Sequence, residues 1–204
     1  MVLLRRLLRV FAYVFFISAI SPVFTLAKAN QQPQEPEYRI GRENTHNRFS
    51  SVIPPVIRVP SGAVVEVKTK EATDGQLSYS SDVEDVSALN FDLIHPLTGP
   101  VFVEGAEPGD TLAVRLREIV VEEWGWSAVI PGFGFLASEF SEPYLKTFKI
   151  PAGATEVRFS DRVLLPIRPF AGVMGVAPAS ADELSTIPPR ANGGNMDNKY
   201  LTVG

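Results

Sequence analysis

The chain has no cysteine among its 204 residues. That removes a disulfide framework, thiolate metal sites and any cysteine nucleophile of the papain or nitrilase kind. Histidine is nearly as scarce: His46 and His95 are the two present, so any imidazole chemistry rests on one of them. A basic stripe is missing too. The net charge is −4, and residues 1–29 hold Arg5, Arg6, Arg9 and Lys28 with no acidic residue, so the remainder is more acidic still. Neither nucleic acid nor an anionic membrane surface is therefore expected as a partner. Long apolar runs are also absent. The uncharged stretch Val10–Ile20 falls short of the ~20 residues a spanning helix needs.

What is present at the N-terminus is an ordered series. Arginines come first, then the apolar stretch, then Pro22 and the small residues Ala27 and Ala29 on either side of Lys28. This is the order of a secretory signal peptide over residues 1–29, with cleavage after Ala29. The product is expected to be exported, periplasmic or secreted, without stable membrane association after cleavage. An uncleaved anchor is the competing reading. Residues 30–44 open with NQQPQEPE and are expected to be a flexible leader.

Pro and Gly, 17 and 15 in number, are scattered through the body, as in a chain with many turns. Pro60-Ser61-Gly62 precedes AVVEVKTK, Pro108-Gly109-Asp110 precedes TLAVRLREIVV, and Pro151-Ala152-Gly153 precedes ATEVRFS. Each is a turn followed by period-2 alternation. Strands are also expected at Val56–Val59, Val101–Glu104, Lys146–Ile150, Val163–Ile167 and Ala171–Ala177. One short helix is expected within Ser80–Leu89 or Ala137–Phe140. This pattern of short strands indicates a mostly β sandwich or barrel with little helix.

Three stretches exceed turn grammar: FDLIHPLTGPVFVEGAEPGD (Phe91–Asp110), RPFAGVMGVAP (Arg168–Pro178) and PPRANGGNMD (Pro188–Asp197). Together with His46 ahead of Ile53-Pro54-Pro55, and with Thr73-Asp74-Gly75-Gln76, they resemble the acetamidase/formamidase family. The resemblance runs from about Thr45 to Gly204, in the family's order and rough spacing. It implies a jelly-roll-like β-sandwich with elaborations and hydrolysis of short linear amides to carboxylate and ammonia. It also implies that the motif at Gly193–Asp197 belongs mid-chain, so the domain at 45–204 is expected to lack roughly the family's last third.

The residues permit a chemical reading beside the resemblance. An amide carbonyl is a poor electrophile, and its hydrolysis needs an activated nucleophile and a stabilised oxyanion. No G-x-S-x-G elbow or Gly/Ser-rich GGSS string occurs, which disfavours a serine enzyme. A divalent metal, zinc among the candidates, needs only imidazoles and carboxylates and would lower the pKa of bound water to about 7. His46, Asp74 and His95 are the favoured ligands, Glu104 a candidate base, and Asp197 a catalytic or orienting group if its loop faces the same site. Gly193, Gly194 and Asn195 could offer backbone N–H groups to substrate.

Each assignment has a bland counterpart. His95, ahead of Pro96, is expected to be extended and could cap a turn. Asp74 before Gly75 could serve the turn alone, Glu104 could be an exposed strand end, and Asp110 opens a strand and is left outside the site. Trp124-Gly125-Trp126 and Pro131–Gly134 could wall a small pocket or simply pack, and Arg190 is expected to face solvent. A non-catalytic or pseudo-enzyme β-sandwich binding module is the alternative function; a sugar-binding jelly roll explains the sandwich but not the motifs. The enzyme reading implies a small amide as partner, and a homo-oligomer is compatible with it.

Overall fold

A computed structural model describes residues 35–204; the expected signal peptide and residues 30–34 of the leader lie outside the described part. The strands are short: β1 (Tyr38–Ile40), β2 (Thr45–His46), β3 (Arg48–Phe49), β4 (Ile57–Val59), β5 (Val65–Val67), β6 (Leu97–Thr98) and β7 (Val101–Val103) in the first half. The second half holds β8 (Trp124–Val129), β9 (Tyr144–Lys149), β10 (Glu156–Ser160), β11 (Val163–Pro166), β12 (Val173–Gly175), β13 (Leu184–Ser185) and β14 (Gly193–Asn195). Between β5 and β6 lie one helix, α1 (Val83–Ser87), and a 3-10 turn at Phe91–Leu93. The mostly β class holds. Among the described residues the strands pair as seven two-stranded ladders rather than as two broad sheets.

Two of those pairings, β1 with β5 and β4 with β7, are parallel and join strands distant in sequence. Three antiparallel pairs are also long-range: β2 with β6, β3 with β13 and β12 with β14. The hairpin-like pairs β8–β9 and β10–β11 carry the longest strands. The buried hydrophobic side chains of the core, Ile40, Phe49, Val59, Leu77, Val86 and Ile94, all precede His95 in the chain. Buried hydroxyls are satisfied where they fall: Ser50 Oγ donates to Ala181 O (2.9 Å) and Thr186 Oγ1 to Ile94 O (2.9 Å). Such pairing is what burial of a hydroxyl requires.

Helix α1 falls inside the first of the two expected windows. Asp82 caps it, accepting from the Glu84 and Asp85 amides while the Asp85 carboxylate accepts from the Asp82 N–H. Asp85 closes that box, and the acidic first turn suits the positive end of the helix. The second window, Ala137–Phe140, is a series of turns.

Two expectations are corrected. The leader does not run to residue 44: Tyr38–Ile40 pairs with β5, and Ile40, only 2% exposed, anchors it in the core. Conversely, TLAVRLREIVV (111–121) forms no strand. Its alternation has no facing ladder, and Leu112, Val114, Val120 and Val121 remain exposed. A strand pattern specifies a strand only where a partner supplies the cross-strand bonds.

Candidate functional site

Three non-glycine residues among the described ones adopt positive φ: Asp74 (61°), His95 (58°) and Asp197 (45°). Left-handed backbone is uncommon for such residues and concentrates at sites where surrounding structure enforces it. All three come from the loops singled out in the sequence. For His95 this corrects the extended backbone expected ahead of Pro96. Its N–H donates to Ala72 O at 2.7 Å, which ties the 72–75 loop to His95 and turns the chain.

These loops enclose a cavity of about 110 Å³. Ala72 and Thr73 come from the 72–75 loop, Phe91, Ile94 and His95 from the segment after α1, and Leu89 from just before it. Trp126 on β8 and Ile130 and Phe133 beyond it form the opposite wall, with Ile187 and Asn195 closing the remainder. Phe91 and Phe133 meet with ring centroids 5.1 Å apart. An apolar cavity with a few convergent polar groups is the usual form of a small-ligand site. A larger hollow of about 420 Å³ beside α1, lined by Val83, Glu84, Ser87, Ala88 and Pro143, is shallow and offers no imidazole. The smaller cavity is therefore the better candidate.

The polar side chains of that cavity are few. Burial, the largest effect, lowers the His95 pKa below its ordinary value, against a hydrogen bond to the Thr186 backbone and the nearby negative charge of Asp197. The imidazole is consequently neutral at pH 7. Its Nδ1 is buried without a hydrogen-bond partner. Asn195 holds its side chain by donating Nδ2–H to Ile187 O at 2.8 Å. Thr73 is 1% exposed; its hydroxyl donates to Glu71 Oε2 at 2.5 Å and accepts from Leu77 N at 3.0 Å.

His46, Asp74 and His95 are not assembled into a metal site. Among the described residues no three His, Asp or Glu side chains lie close enough to hold a metal ion. The His46 Nδ1 is engaged with Arg48 O at 2.7 Å, and burial lowers its pKa in spite of that bond. Asp74 accepts from Lys70 Nζ at 2.6 Å across one turn, with its side chain 16% exposed. The donors expected for a divalent ion thus do not converge among the described residues.

The remaining candidates divide by position. Asp197 is near enough to His95 to act on its charge. Glu104 is an exposed strand end whose N–H donates to Val59 O, and it does not line the cavity. Gly193 and Gly194 lie in β14, with φ of 92° and 96°. The Gly193 N–H donates to Arg190 O, so it is not presented to the cavity. A Cβ on Gly193 would stand 2.7 Å from Met174 O, which is why glycine is needed in this ladder. Asp92 pairs with Arg48 at 2.8 Å and Asp110 accepts from the Glu107 amide, both as turn and surface fasteners. Arg190 donates to Ser185 O and Pro188 O and so braces its loop.

Three contributors carried no assignment from the sequence. Trp126 and Phe133 were readable as pocket walls only once the loop at 72–75 was known to face them. Glu71 gave no local signal at all, since its partners lie partly 55 residues away.

Comparison with known proteins gives the chain's family and fold relatives. Residues 32–183 match the model of the "Acetamidase/Formamidase family". An acetamidase of Mycolicibacterium smegmatis is 28% identical over 78% of this chain and 54% of its own length. The crystal structure of an acetamidase from Bacillus halodurans superposes with a TM-score of 0.74 and 30% identity, over 81% of this chain and 55% of that one. A γ-lactamase from Delftia acidovorans gives a TM-score of 0.73 at 25% identity, over 80% of this chain and 53% of that one. This chain thus spans about half the length of these relatives.

Proposed function

From the premise that this chain belongs to the acetamidase/formamidase family, we propose that it takes part in cleaving the C–N bond of short amides, with the cavity around His95 as the reacting site. The observation that carries the reading is a neutral imidazole with an unpartnered, buried Nδ1 on the wall of a small apolar cavity. A ring nitrogen held this way suits a general base, because proton transfer works best from a group whose pKa lies near the working pH.

The chemistry follows from that placement. Water attacks the carbonyl carbon while Nδ1 of His95 takes its proton. The tetrahedral species collapses as the amide nitrogen receives that proton, releasing the carboxylic acid and ammonia, which exchange a proton and leave as carboxylate and ammonium. The apolar walls from Phe91, Trp126 and Phe133 exclude bulk water, and a dry site strengthens each polar interaction within it. Asn195 has a further side-chain N–H with which to meet the substrate oxygen. The proton transfers are carried by His95 alone, since the residues expected to hold an ion do not converge among the described residues.

The test is ammonia release from formamide and acetamide by the purified chain, with ring opening of a γ-lactam as a second substrate suggested by the Delftia relative. Turnover that falls on replacing His95 supports the reading. Saturable amide binding with no turnover on any of the three would favour the binding-module alternative, for which the half-length match to the relatives is the supporting observation.

A further inference from the structure

We propose that Glu71 is the positioning residue of this cavity, its one carboxylate fixing two facing walls. The inference rests on the cavity being the amide site. One oxygen, Oε1, accepts the Trp126 indole N–H at 2.7 Å. The other, Oε2, accepts the Thr73 amide at 2.9 Å, the Thr73 hydroxyl at 2.5 Å and the Gly75 amide at 3.2 Å. Glu71 thereby bridges β8 to the 72–75 loop, and Ala72 in that loop receives the His95 N–H. The indole wall, the Thr73 wall and the backbone of His95 share a single anchor.

The chemistry of that anchor is specific. Four donors converge on it and it offers no proton, which is what an ionised carboxylate can satisfy and a carboxamide cannot. In Glu71→Gln the side-chain NH₂ must face either the indole N–H or the Thr73 donors. One wall is then released while the volume is unchanged. A staple that merely held a turn would have no reason to reach across to the indole of a distant strand.

The experiment uses the full chain carrying Trp124→Phe, which leaves Trp126 as the sole tryptophan. Its emission, its quenching by acrylamide and its acetamide kinetics are read with and without Glu71→Gln, with circular dichroism to confirm folding. The expected result is a red-shifted, more readily quenched Trp126 and a KM for acetamide raised about tenfold or more. The change in kcat should be smaller, as when a charged hydrogen bond that shapes the binding site is lost. On a Trp126→Phe background the KM penalty of Glu71→Gln should largely vanish, because the carboxamide oxygen can then serve Thr73 alone.

Should Glu71→Gln fail to fold, Glu71→Asp keeps the charge and shortens the reach to the indole, and the same shifts are expected. Unchanged emission, quenching and KM in a folded variant overturn the proposal. So does a KM penalty that persists in full without the indole. If the parent chain neither binds nor turns over acetamide, the amide reading fails instead. The emission and quenching of Trp126 then decide the positioning claim by themselves.

Discussion

His95 combines three features that one residue seldom shows together: left-handed backbone, a lowered pKa and a buried ring nitrogen without a partner. Burial also lowers the His46 pKa. A group whose folded pKa is depressed binds fewer protons in the folded state than in the unfolded one. Stability from both histidines is therefore fully present above the unfolded value of about 6.5 and is lost as pH falls through the folded values. Denaturant unfolding between pH 7.5 and 5 should show that decline, and His95→Asn should flatten part of it. A stability that rose on acidification over this window would contradict the burial assigned to the two rings. At this scale the sequence was legible in identity but not in partnership. The three residues with strained backbone all lay in motifs readable beforehand. Asp74's lysine and His46's bond to Arg48 O depend on local geometry that spacing does not encode, and the expected ligands do not converge among the described residues.

Among the elements, the β12–β14 ladder explains why glycine occupies position 193. A methyl group there would meet Met174 O at 2.7 Å on a backbone of φ 92°. Gly193→Ala should therefore destabilise the chain by about 1–3 kcal/mol. It should also weaken amide binding, because Asn195 on the same strand lines the cavity. Thermal unfolding and an acetamide titration check both effects, and a variant as stable as the parent would remove the steric account. Period-2 alternation located most strands because their partners exist. It failed at 111–121, where no facing strand is present among the described residues, and at Tyr38–Ile40, where a polar lead-in concealed the anchor Ile40. Long-range pairings such as β3 with β13 and β4 with β7 left no mark in the local pattern, since register over such distances is set by packing.

Over the whole molecule, apolar burial is uneven. The buried apolar side chains precede residue 96, whereas Val120, Phe135 and Leu164 are 82%, 108% and 48% exposed. Large apolar side chains left this exposed favour binding of apolar ligands. The purified chain should bind an apolar dye such as anilinonaphthalene sulfonate. Val120→Lys with Leu164→Lys should reduce that binding while shifting stability by only about 0.5 kcal/mol per site, as surface substitutions do. Absence of dye binding by the parent would show these residues to be covered in solution. The family could be read from motif wording, and the mostly β class from period-2 alternation between turns. The chain spans about half the length of its relatives.

The central claim is that the imidazole of His95 serves amide cleavage in the small cavity. Its most direct test is ammonia release from acetamide at pH 7.5 by the full chain and by His95→Ala, both shown to be folded. The account predicts turnover by the parent and a fall of about 10²-fold or more in the variant, the range for loss of a general base. Equal rates in the two proteins would contradict it.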